Sequence, residues 1–404
     1  MRIFRTLMIA RMFARMMGRV PVRHLLYLYG RMKYEKPHRF AGQIRINTFF
    51  PPYPSPAFDR FCRAIIERRR VPHSTYLAVT DQCPCMCAHC SYAGRNGRSM
   101  TTTEMLSTIA QIKELGTATL GLTGGEPLLR NDLEELISAA VPEMACIVFT
   151  TGHGLSVQRA RQLSSAGAIC VTIGLEHADE ATHDRVRAHR GSFAEAETAA
   201  KSCCEAGVYL AISTVGTREK LASGELERLY VLAERWGACE FRILTPVATG
   251  AWTGCGSVML TPQELRAMAD FHREHNRYDA GPAVASFAYL ESDELFGCGA
   301  GFHHLYIDAC GKVCPCDLTP LSFGDVNDEQ LMDIWKRMGT MFAAPRRGCL
   351  MGELAAEVYK HAGALPLPPE VSTRLCDTCW AKGPLPEGYR RLIKPGERFN
   401  APES

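Results

Sequence analysis

Residues 75–90 read Thr75-Tyr76-Leu77-Ala78-Val79-Thr80-Asp81-Gln82-Cys83-Pro84-Cys85-Met86-Cys87-Ala88-His89-Cys90. The first six form an apolar run that is typical of a buried strand. The cysteines at 83, 87 and 90 follow in a C-x3-C-x2-C spacing, which places them on the loop after that strand. A cubane of four irons normally takes four thiolates, so three thiolates leave one iron open to a ligand that is not protein. The stretch therefore predicts an iron-sulfur site at a strand end.

A second motif, Gly124-Gly125-Glu126-Pro127, follows the next apolar run at residues 118–123. Its two glycines allow backbone groups to approach a ligand closely, and Glu126 can accept a hydrogen bond from a cationic amine. Taken alone, the four residues are equally consistent with an ordinary Gly-rich turn before a helix. Their position directly after a strand, like that of the cysteine loop, favours the ligand interpretation.

The pattern of strand followed by helix repeats along the middle of the chain. Apolar runs predict six strands, at 75–80, 118–123, 145–150, 169–175, 208–214 and 241–244. Helices are predicted near 102–114, 131–140, 154–166, 192–206 and 224–236. Six βα units with right-handed crossovers form a parallel sheet curled into a partial barrel. The predicted fold class is therefore α/β, a partial (β/α)6 TIM-like barrel, with both motifs at the carboxyl ends of strands.

The cysteine triad followed by Gly124-Gly125-Glu126-Pro127 resembles the radical S-adenosylmethionine (SAM) superfamily. The resemblance implies an enzyme that binds SAM at a 4Fe-4S cluster held by Cys83, Cys87 and Cys90. Reductive cleavage of SAM would give a 5′-deoxyadenosyl radical that abstracts hydrogen from a substrate. Residues Gly124, Gly125, Glu126 and Pro127 would bind SAM, with the methionine amine on Glu126. A non-catalytic iron-sulfur protein that has lost SAM binding is the alternative from another class.

Further positions resemble SAM contacts of the superfamily. The segment at residues 173–176 occupies the place of a family signature that usually reads Ser-Leu-Asp-Gly. In this segment Gly174 replaces the serine, so its hydroxyl is missing, and Glu176 replaces the aspartate. Arg187 would clamp the SAM carboxylate bidentately, unless it is a surface arginine paired with Asp184 or Glu180.

Two more residues complete the predicted cofactor site. Thr214, at the end of the fifth predicted strand, resembles an adenosine-contacting residue. His89 stands where the family often has an aromatic residue beside the adenine, and a solvent-facing histidine is the alternative. Cys85 lies inside the cysteine loop but does not fit the triad spacing, so it is either a bystander or a rival ligand.

A second group of cysteines lies in the C-terminal third of the chain. It begins at Cys298, continues through a hairpin around Gly311 to Cys316, and ends with Cys376 and Cys379. This order, with Phe323-Gly324-Asp325-Val326 and Ile334-Trp335 between its parts, resembles the auxiliary-cluster extensions called SPASM and twitch domains. The resemblance implies at least one auxiliary 4Fe-4S cluster, for which Cys298, Cys316, Cys376 and Cys379 are the predicted ligands.

Three cysteines of the extension remain unassigned by this prediction. Cys349 is a candidate ligand of a second, incomplete site, while Cys310 and Cys314 are spare or substitute ligands. Four cysteines with one C-x2-C pair would also suit a structural zinc ion.

Composition is consistent with a cytoplasmic globular protein. Of 404 residues, 46% are apolar and 22% charged, and no apolar stretch reaches the length needed to cross a bilayer. Eighteen cysteines without a cleavable signal peptide indicate a reducing compartment, where thiols bind metals or fill the core. No nucleic-acid partner is expected.

The N-terminal segment carries most of the excess positive charge. Residues 1–40 contain ten Arg and Lys against the single acid Glu35, and arginines recur every fourth residue from Arg11 to Arg23. Ile3, Leu7, Ala10, Phe13, Ala14 and Met17 fall on the opposite arc of a helical wheel. Such a helix can lie on an anionic membrane face or dock a partner. A loosely packed basic arm and a mitochondrial targeting peptide are the alternatives.

These patterns predict four regions: a basic arm at 1–48, a Pro-rich connector at 49–74, the barrel at 75–285 and the iron-sulfur extension at 286–404. Family analogy favours oxidative or cross-linking modification of a peptide or protein side chain. A membrane-associated lipid or small molecule is the alternative substrate, which would place the enzyme at the inner membrane face. An electron donor such as flavodoxin or ferredoxin is implied by the reductive step.

Overall fold

The computed structural model describes residues 2–361, 363, 365–379, 383–393 and 397–400. Its strands are β1 (His38–Phe40), β2 (Gln43–Arg45), β3 (Ser74–Thr80), β4 (Thr119–Gly124), β5 (Ala145–Thr150), β6 (Ala168–Gly174), β7 (Leu210–Val215), β8 (Glu240–Leu244), β9 (Ala283–Ser286), β10 (His304–Ile307) and β11 (Val313–Cys314). Its helices are α1 (Arg2–Phe13), α2 (Val22–Met32), α3 (Pro56–Ile66), α4 (Thr102–Glu114), α5 (Leu133–Ala140), α6 (Val157–Ala166), α7 (Glu180–Arg187), α8 (Ser192–Glu205), α9 (Arg218–Ala222), α10 (Glu225–Arg235), α11 (Pro262–His275), α12 (Phe287–Leu290), α13 (Leu331–Met338), α14 (Leu350–Lys360), α15 (Pro369–Cys379) and α16 (Glu387–Leu392).

Nine strands form one sheet, in the order β11-β10-β3-β4-β5-β6-β7-β8-β9. The six strands β3 to β8 pair in parallel with their sequence neighbours. Alternate residues of these strands, such as Leu77, Leu122, Val148 and Ile212, join the large core shared with the surrounding helices. The predicted α/β fold with a partial barrel and a C-terminal cysteine-rich extension is confirmed, and the six predicted strands lie within two residues of the observed ones.

The sheet continues beyond the six predicted strands. β9 pairs in parallel with β8, and β10 pairs in parallel with β3. β9 has only four residues, too few for the apolar run that identified the others. The hairpin predicted around Gly311 is formed by β10 and β11, and it extends the barrel sheet from its first edge. The predicted domain boundary after residue 285 falls within β9, and the four domain limits stay predictions.

The N-terminal residues close the amino end of the barrel. Arg45 donates a hydrogen bond to the Ile169 carbonyl at the start of β6 (2.7 Å). The backbone and hydroxyl of Thr48 both donate to Glu240 at the start of β8 (2.8 and 2.6 Å). Because this end is covered, a ligand has access to the opposite end, where the strands terminate.

The predicted basic arm forms two helices that pack on the rest of the protein. Met8, Ile9, Met12 and Met16 are buried in a second core, together with side chains of α3 and α16. The buried face is not the apolar arc predicted from the sequence, because Leu7 and Met17, which belong to that arc, are exposed. The helix ends at Phe13 and the chain turns before Pro21, so a single helical wheel does not describe the whole segment. No helix in the described ranges is long and apolar enough to cross a membrane.

Candidate active site

The three triad cysteines lie on the loop between β3 and α4, at the carboxyl end of the sheet. Cys83 is exposed, whereas Cys87 and Cys90 are half-buried, and the three thiols are close enough to interact electrostatically. The end of α7 holds this loop in place: Met86 N–H donates to the Arg187 carbonyl and Ala88 N–H donates to that of Val186, both at 3.0 Å. The structure thus brings together the three residues that the spacing predicted.

The environment of the loop favours thiolates, the form that binds iron. A hydrogen bond from Cys85, assisted by the charges of Arg187 and His89, lowers the pKa of Cys87 to about 5. Cys85 also donates to Cys83 and lowers the pKa of that thiol, and these bonds raise its own pKa strongly. Cys85 is therefore a proton-bearing neighbour of two triad thiols. The donor set fits a 4Fe-4S cluster held by the triad.

Gly124 and Gly125 allow two loops of the protein to lie against each other. Gly125 N–H donates to the Thr80 carbonyl and Glu126 N–H donates to that of Gln82, both at 2.7 Å. A Cβ at either glycine would collide with these same two carbonyls, and Gly124 also has a φ of +119°. The glycines thereby fix the second motif beside the cysteine loop.

Glu126 is fully buried, and its carboxylate is already used within the protein. One oxygen accepts from Thr150 Oγ1 (2.6 Å) and Leu128 N (3.0 Å), and the other accepts from Thr151 N and Oγ1 (both 2.6 Å). Pro127, also buried, begins the short 3₁₀ helix that follows. Glu126 therefore joins its own loop to the end of β5, and its contact with a SAM amine stays a prediction.

Glu176 is the centre of a charged cluster beside the triad. Its carboxylate lies 3.2 Å from His89 Nε2, 3.4 Å from Arg187 Nη2 and 2.8 Å from Lys220 Nζ. Burial acts to raise the pKa of Glu176, but the charges of His89, Lys220 and Arg187 hold it well below its usual range. Thr214, buried at the end of β7, accepts a hydrogen bond from Lys220 (2.7 Å) and donates to Glu176 (3.5 Å).

Arg187 owes its position to Gly174. A Cβ at residue 174 would collide with the guanidinium, so the serine usual in the superfamily has no room here. Arg187 is buried, and its Nη1 donates to Cys87 Sγ at 3.6 Å. The alternative of a surface arginine paired with Asp184 is wrong, because Asp184 instead accepts hydrogen bonds from residues 191–193.

The four predicted contacts His89, Glu176, Arg187 and Thr214 thus lie in one cluster next to Cys87. Sequence analysis missed Lys220, which binds two of them from α9. Nothing in the run Arg218-Glu219-Lys220 distinguishes this lysine from a surface charge, because only the fold brings α9 to the end of β6. Two cations, Arg187 and Lys220, therefore lie beside the Glu176 carboxylate at this site.

Three cysteines of the extension face a common region. Cys298 interacts electrostatically with Cys349 and Cys316, and all three with Glu291. Cys376 is buried in the main hydrophobic core on α15, and the side chain of Cys379 lies outside the described part of the chain. Cys314 is buried and accepts a hydrogen bond from Arg95 (3.5 Å). The structure thus brings both Cys349 and Cys316 near Cys298, and the ligand set stays a prediction.

A chain of polar contacts links the barrel interior to these thiols. Arg242 Nη2 donates to the Tyr76 hydroxyl (3.4 Å), and the Tyr76 ring packs edge-on against His304 (4.8 Å between centroids). His304 Nε2 lies 3.1 Å from Asp317 Oδ1, to which Cys316 Sγ donates at 3.4 Å. The interior of the barrel and the cysteine-rich extension are therefore contiguous.

Glu291 lies beside the three thiols of the extension and near Asp317. The residue is exposed to solvent, yet burial and the neighbouring Asp317 raise its pKa to about 8.

Comparison with known proteins agrees with this arrangement. Residues 77–223 match the family model of the radical SAM superfamily, and residues 298–348 match SPASM, an iron-sulfur cluster-binding domain. The chain is 25% identical over 289 residues to AdoMet-dependent heme synthase of Nitratidesulfovibrio vulgaris, covering 64% of this chain and 77% of the relative. It is 26% identical over 282 residues to PqqA peptide cyclase of Rhizobium meliloti, covering 66% and 74%.

Solved structures share the fold. SuiB of Streptococcus suis bound to precursor peptide SuiA superimposes with a TM-score of 0.55 at 17% identity, covering 69% of each chain. Native anSMEcpe with bound AdoMet gives a TM-score of 0.52 at 16% identity, covering 65% of this chain and 80% of that one. With the triad, the glycine motif and the cysteine-rich extension in their places, the chain belongs to the radical SAM superfamily and carries a C-terminal SPASM iron-sulfur cluster-binding domain.

Proposed function

We propose that this radical SAM enzyme oxidatively modifies a side chain of a peptide or protein. The observation that carries the proposal is the contact chain from Arg242 through Tyr76, His304 and Asp317 to Cys316. A substrate held in the barrel mouth would lie between the SAM site and the auxiliary thiols. An auxiliary cluster beside the substrate would suit a reaction in which the substrate loses an electron after losing hydrogen.

Bound SAM and its cluster supply the radical that abstracts hydrogen. In this proposal Cys83, Cys87 and Cys90 hold that cluster, and Arg187 with Lys220 orients the SAM carboxylate. Cys298, Cys316 and Cys349 contribute to the auxiliary site, together with Cys376 or Cys379. The covered amino end of the barrel limits the entry of water from that side. An electron donor such as flavodoxin or ferredoxin is part of the proposal.

The peptide substrate is supported by the relatives. Three of them, at 26–28% identity, are PqqA peptide cyclases, and SuiB shares the fold and binds a precursor peptide. A second candidate function is heme synthesis, because two relatives at 25% and 26% identity are AdoMet-dependent heme synthases. That function would correspond to a small-molecule substrate.

The first test concerns SAM cleavage. Anaerobically reconstituted protein, given dithionite and SAM, is expected to release 5′-deoxyadenosine. Replacing Cys83, Cys87 and Cys90 with alanine should abolish release. The matched control replaces Cys204, Cys239 and Cys255, which lie outside both cysteine groups, and should retain it. Equal release from both triple variants would contradict the proposed site.

The second test concerns the substrate. Short peptides encoded beside the gene, and a tetrapyrrole precursor of heme, are incubated separately with the enzyme and SAM. Mass spectrometry should show the loss of two hydrogen atoms from a peptide. Conversion of the tetrapyrrole alone would replace the peptide proposal with heme synthesis.

A further inference from the structure

The two N-terminal helices present an unusual concentration of exposed apolar side chains. Of the eleven large hydrophobic residues that are exposed in the described chain, six lie between residues 4 and 29. They are Phe4, Leu7, Met17, Val22, Leu26 and Tyr29, each 50–69% exposed, and together they define the arm surface. Isolated exposed hydrophobics are ordinary, but such a concentration marks an interaction site.

Packing within the protein does not account for this surface, because each helix packs on the protein through a face other than the one that carries its exposed apolar side chains. α1 is held by Met8, Ile9 and Met12, and α2 by His24 and Met32. On α1 the exposed Phe4 and Leu7 are three residues apart. On α2, Val22, Leu26 and Tyr29 are spaced four and three apart, as residues on one helical face are. Each helix therefore has an inner apolar face and an outer one.

The charged side chains that the two helices themselves contribute are all positive. Residues 1–34 contain no acid. Within the described part of the chain, Arg11 and Arg19 are exposed without a carboxylate partner, and the exposed Arg23 donates to the backbone carbonyls of residues 391 and 393. Three other arginines of the N-terminal segment are paired with carboxylates elsewhere in the protein: Arg5 with Asp279, Arg15 with Asp59 and Arg31 with Glu294. Apolar side chains among unpaired cations complement the headgroups and acyl chains of an anionic lipid surface.

We propose that the arm surface binds the face of an anionic bilayer. A second copy of the chain fits less well, because a symmetric contact would place these arginines against each other. The cores of protein interfaces are also depleted of charge. The inference is independent of the proposed function, since it concerns where the enzyme is held and not which substrate it modifies.

Vesicle sedimentation of the cluster-loaded, full-length chain tests the proposal. Binding to phosphatidylcholine vesicles that contain phosphatidylglycerol should exceed binding to phosphatidylcholine alone and should weaken with added salt. Leu7→Ser with Leu26→Ser should reduce binding by about tenfold or more, since two leucine side chains that would enter the lipid are lost. Arg11→Gln with Arg19→Gln should reduce it for the anionic vesicles only.

Matched controls lie on other faces. Val231→Ser removes an exposed apolar side chain of α10, and Arg235→Gln removes an exposed cation of the same helix. Both should bind vesicles like the parent chain, and iron content and circular dichroism should be unchanged in every variant. Equal binding to neutral and anionic vesicles would overturn the proposal. So would a dimer that the Leu7→Ser, Leu26→Ser variant dissociates while its vesicle binding is unchanged.

Discussion

At the scale of single residues, the charged cluster beside the triad depends on the absence of a side chain at position 174. Gly174 leaves open the volume in which the Arg187 guanidinium lies, and Arg187 contacts both Glu176 and a triad thiol from there. The departure from the superfamily serine thus changes which side chain occupies this position. The sequence showed the departure but not its consequence, because residues 174 and 187 meet only through the fold.

Gly174→Ala is expected to displace Arg187 and to weaken SAM binding by about tenfold or more, the equivalent of one charge-assisted hydrogen bond. Equilibrium dialysis with the cluster-loaded protein measures the dissociation constant. Gly256→Ala is the control, since a Cβ there meets no atom within 4 Å. Unchanged SAM affinity in the Gly174 variant would show that Arg187 does not contact the cofactor.

Glu126 shows that a sequence motif does not reveal which partners a side chain has in the folded protein. Its motif predicts a ligand contact, whereas its four hydrogen bonds show a structural task. Glu126→Gln should lower the free energy of unfolding by about 2 kcal/mol, because an amide NH2 would face donors of Thr150 or Thr151. Urea unfolding under anaerobic conditions measures this difference. Glu180→Gln, at an exposed site, is the control, and equal stability of the two variants would refute the structural role.

At the scale of elements, the periodicity of apolar residues was sufficient to predict most helices and strands of the barrel. The helix predicted at 102–114 has those limits, with Thr101 and Glu104 forming a capping box. α7 was not predicted as a helix, although its last carbonyls position the cysteine loop. It has eight residues and few apolar ones, so its helical periodicity is weak.

The docking of α2 should depend on pH through His24. This side chain is buried, its Nδ1 donates to the Gly388 carbonyl (3.0 Å), and burial lowers its pKa from 6.5 to about 4. Between these values the undocked helix binds more protons than the docked one. Docking is therefore fully stable above pH 6.5 and loses up to about 3 kcal/mol as the pH falls to about 4.

Amide hydrogen exchange of residues 22–32 measures this loss of stability. After correction for the intrinsic effect of pH on exchange, these amides should become less protected as the pH falls from 6.5 to about 4. His24→Gln keeps a donor for Gly388 and should remove the pH dependence. His361→Gln, at an exposed position, should retain it. The same pH dependence in all three proteins would exclude His24 as its source.

At the scale of the whole molecule, the extension is tied to the barrel in two ways. β10 joins the sheet beside β3, and Arg70, just before β3, reaches into the extension. Its guanidinium donates to the carbonyls of Phe342 (2.8 Å), Trp335 (2.8 Å) and Gly301 (2.6 Å). It also lies 3.8 Å from the centre of the Trp335 ring.

Arg70→Met should destabilise the protein by about 3 kcal/mol, because three buried carbonyls lose their donor. Anaerobic urea unfolding measures the loss, and the iron content of the purified variant reports whether the extension still holds its cluster. Arg63→Met, at an exposed position of α3, should have little effect on either quantity. A stable variant with full iron content would show that β10 alone holds the extension.

The sequence by itself determined the superfamily, the six central strands and the positions of the cysteine and glycine motifs, because periodicity and motif spacing are properties of neighbouring residues. Only the tertiary structure decided that Lys220 joins Glu176, that Cys349 approaches Cys298 and that Glu126 is saturated by Thr150 and Thr151. These contacts join residues that are distant in the chain, and they form only where separate strand ends and loops meet. Which face of α1 docks and which stays exposed was decided in the same way, by the shape of the surface on which it packs.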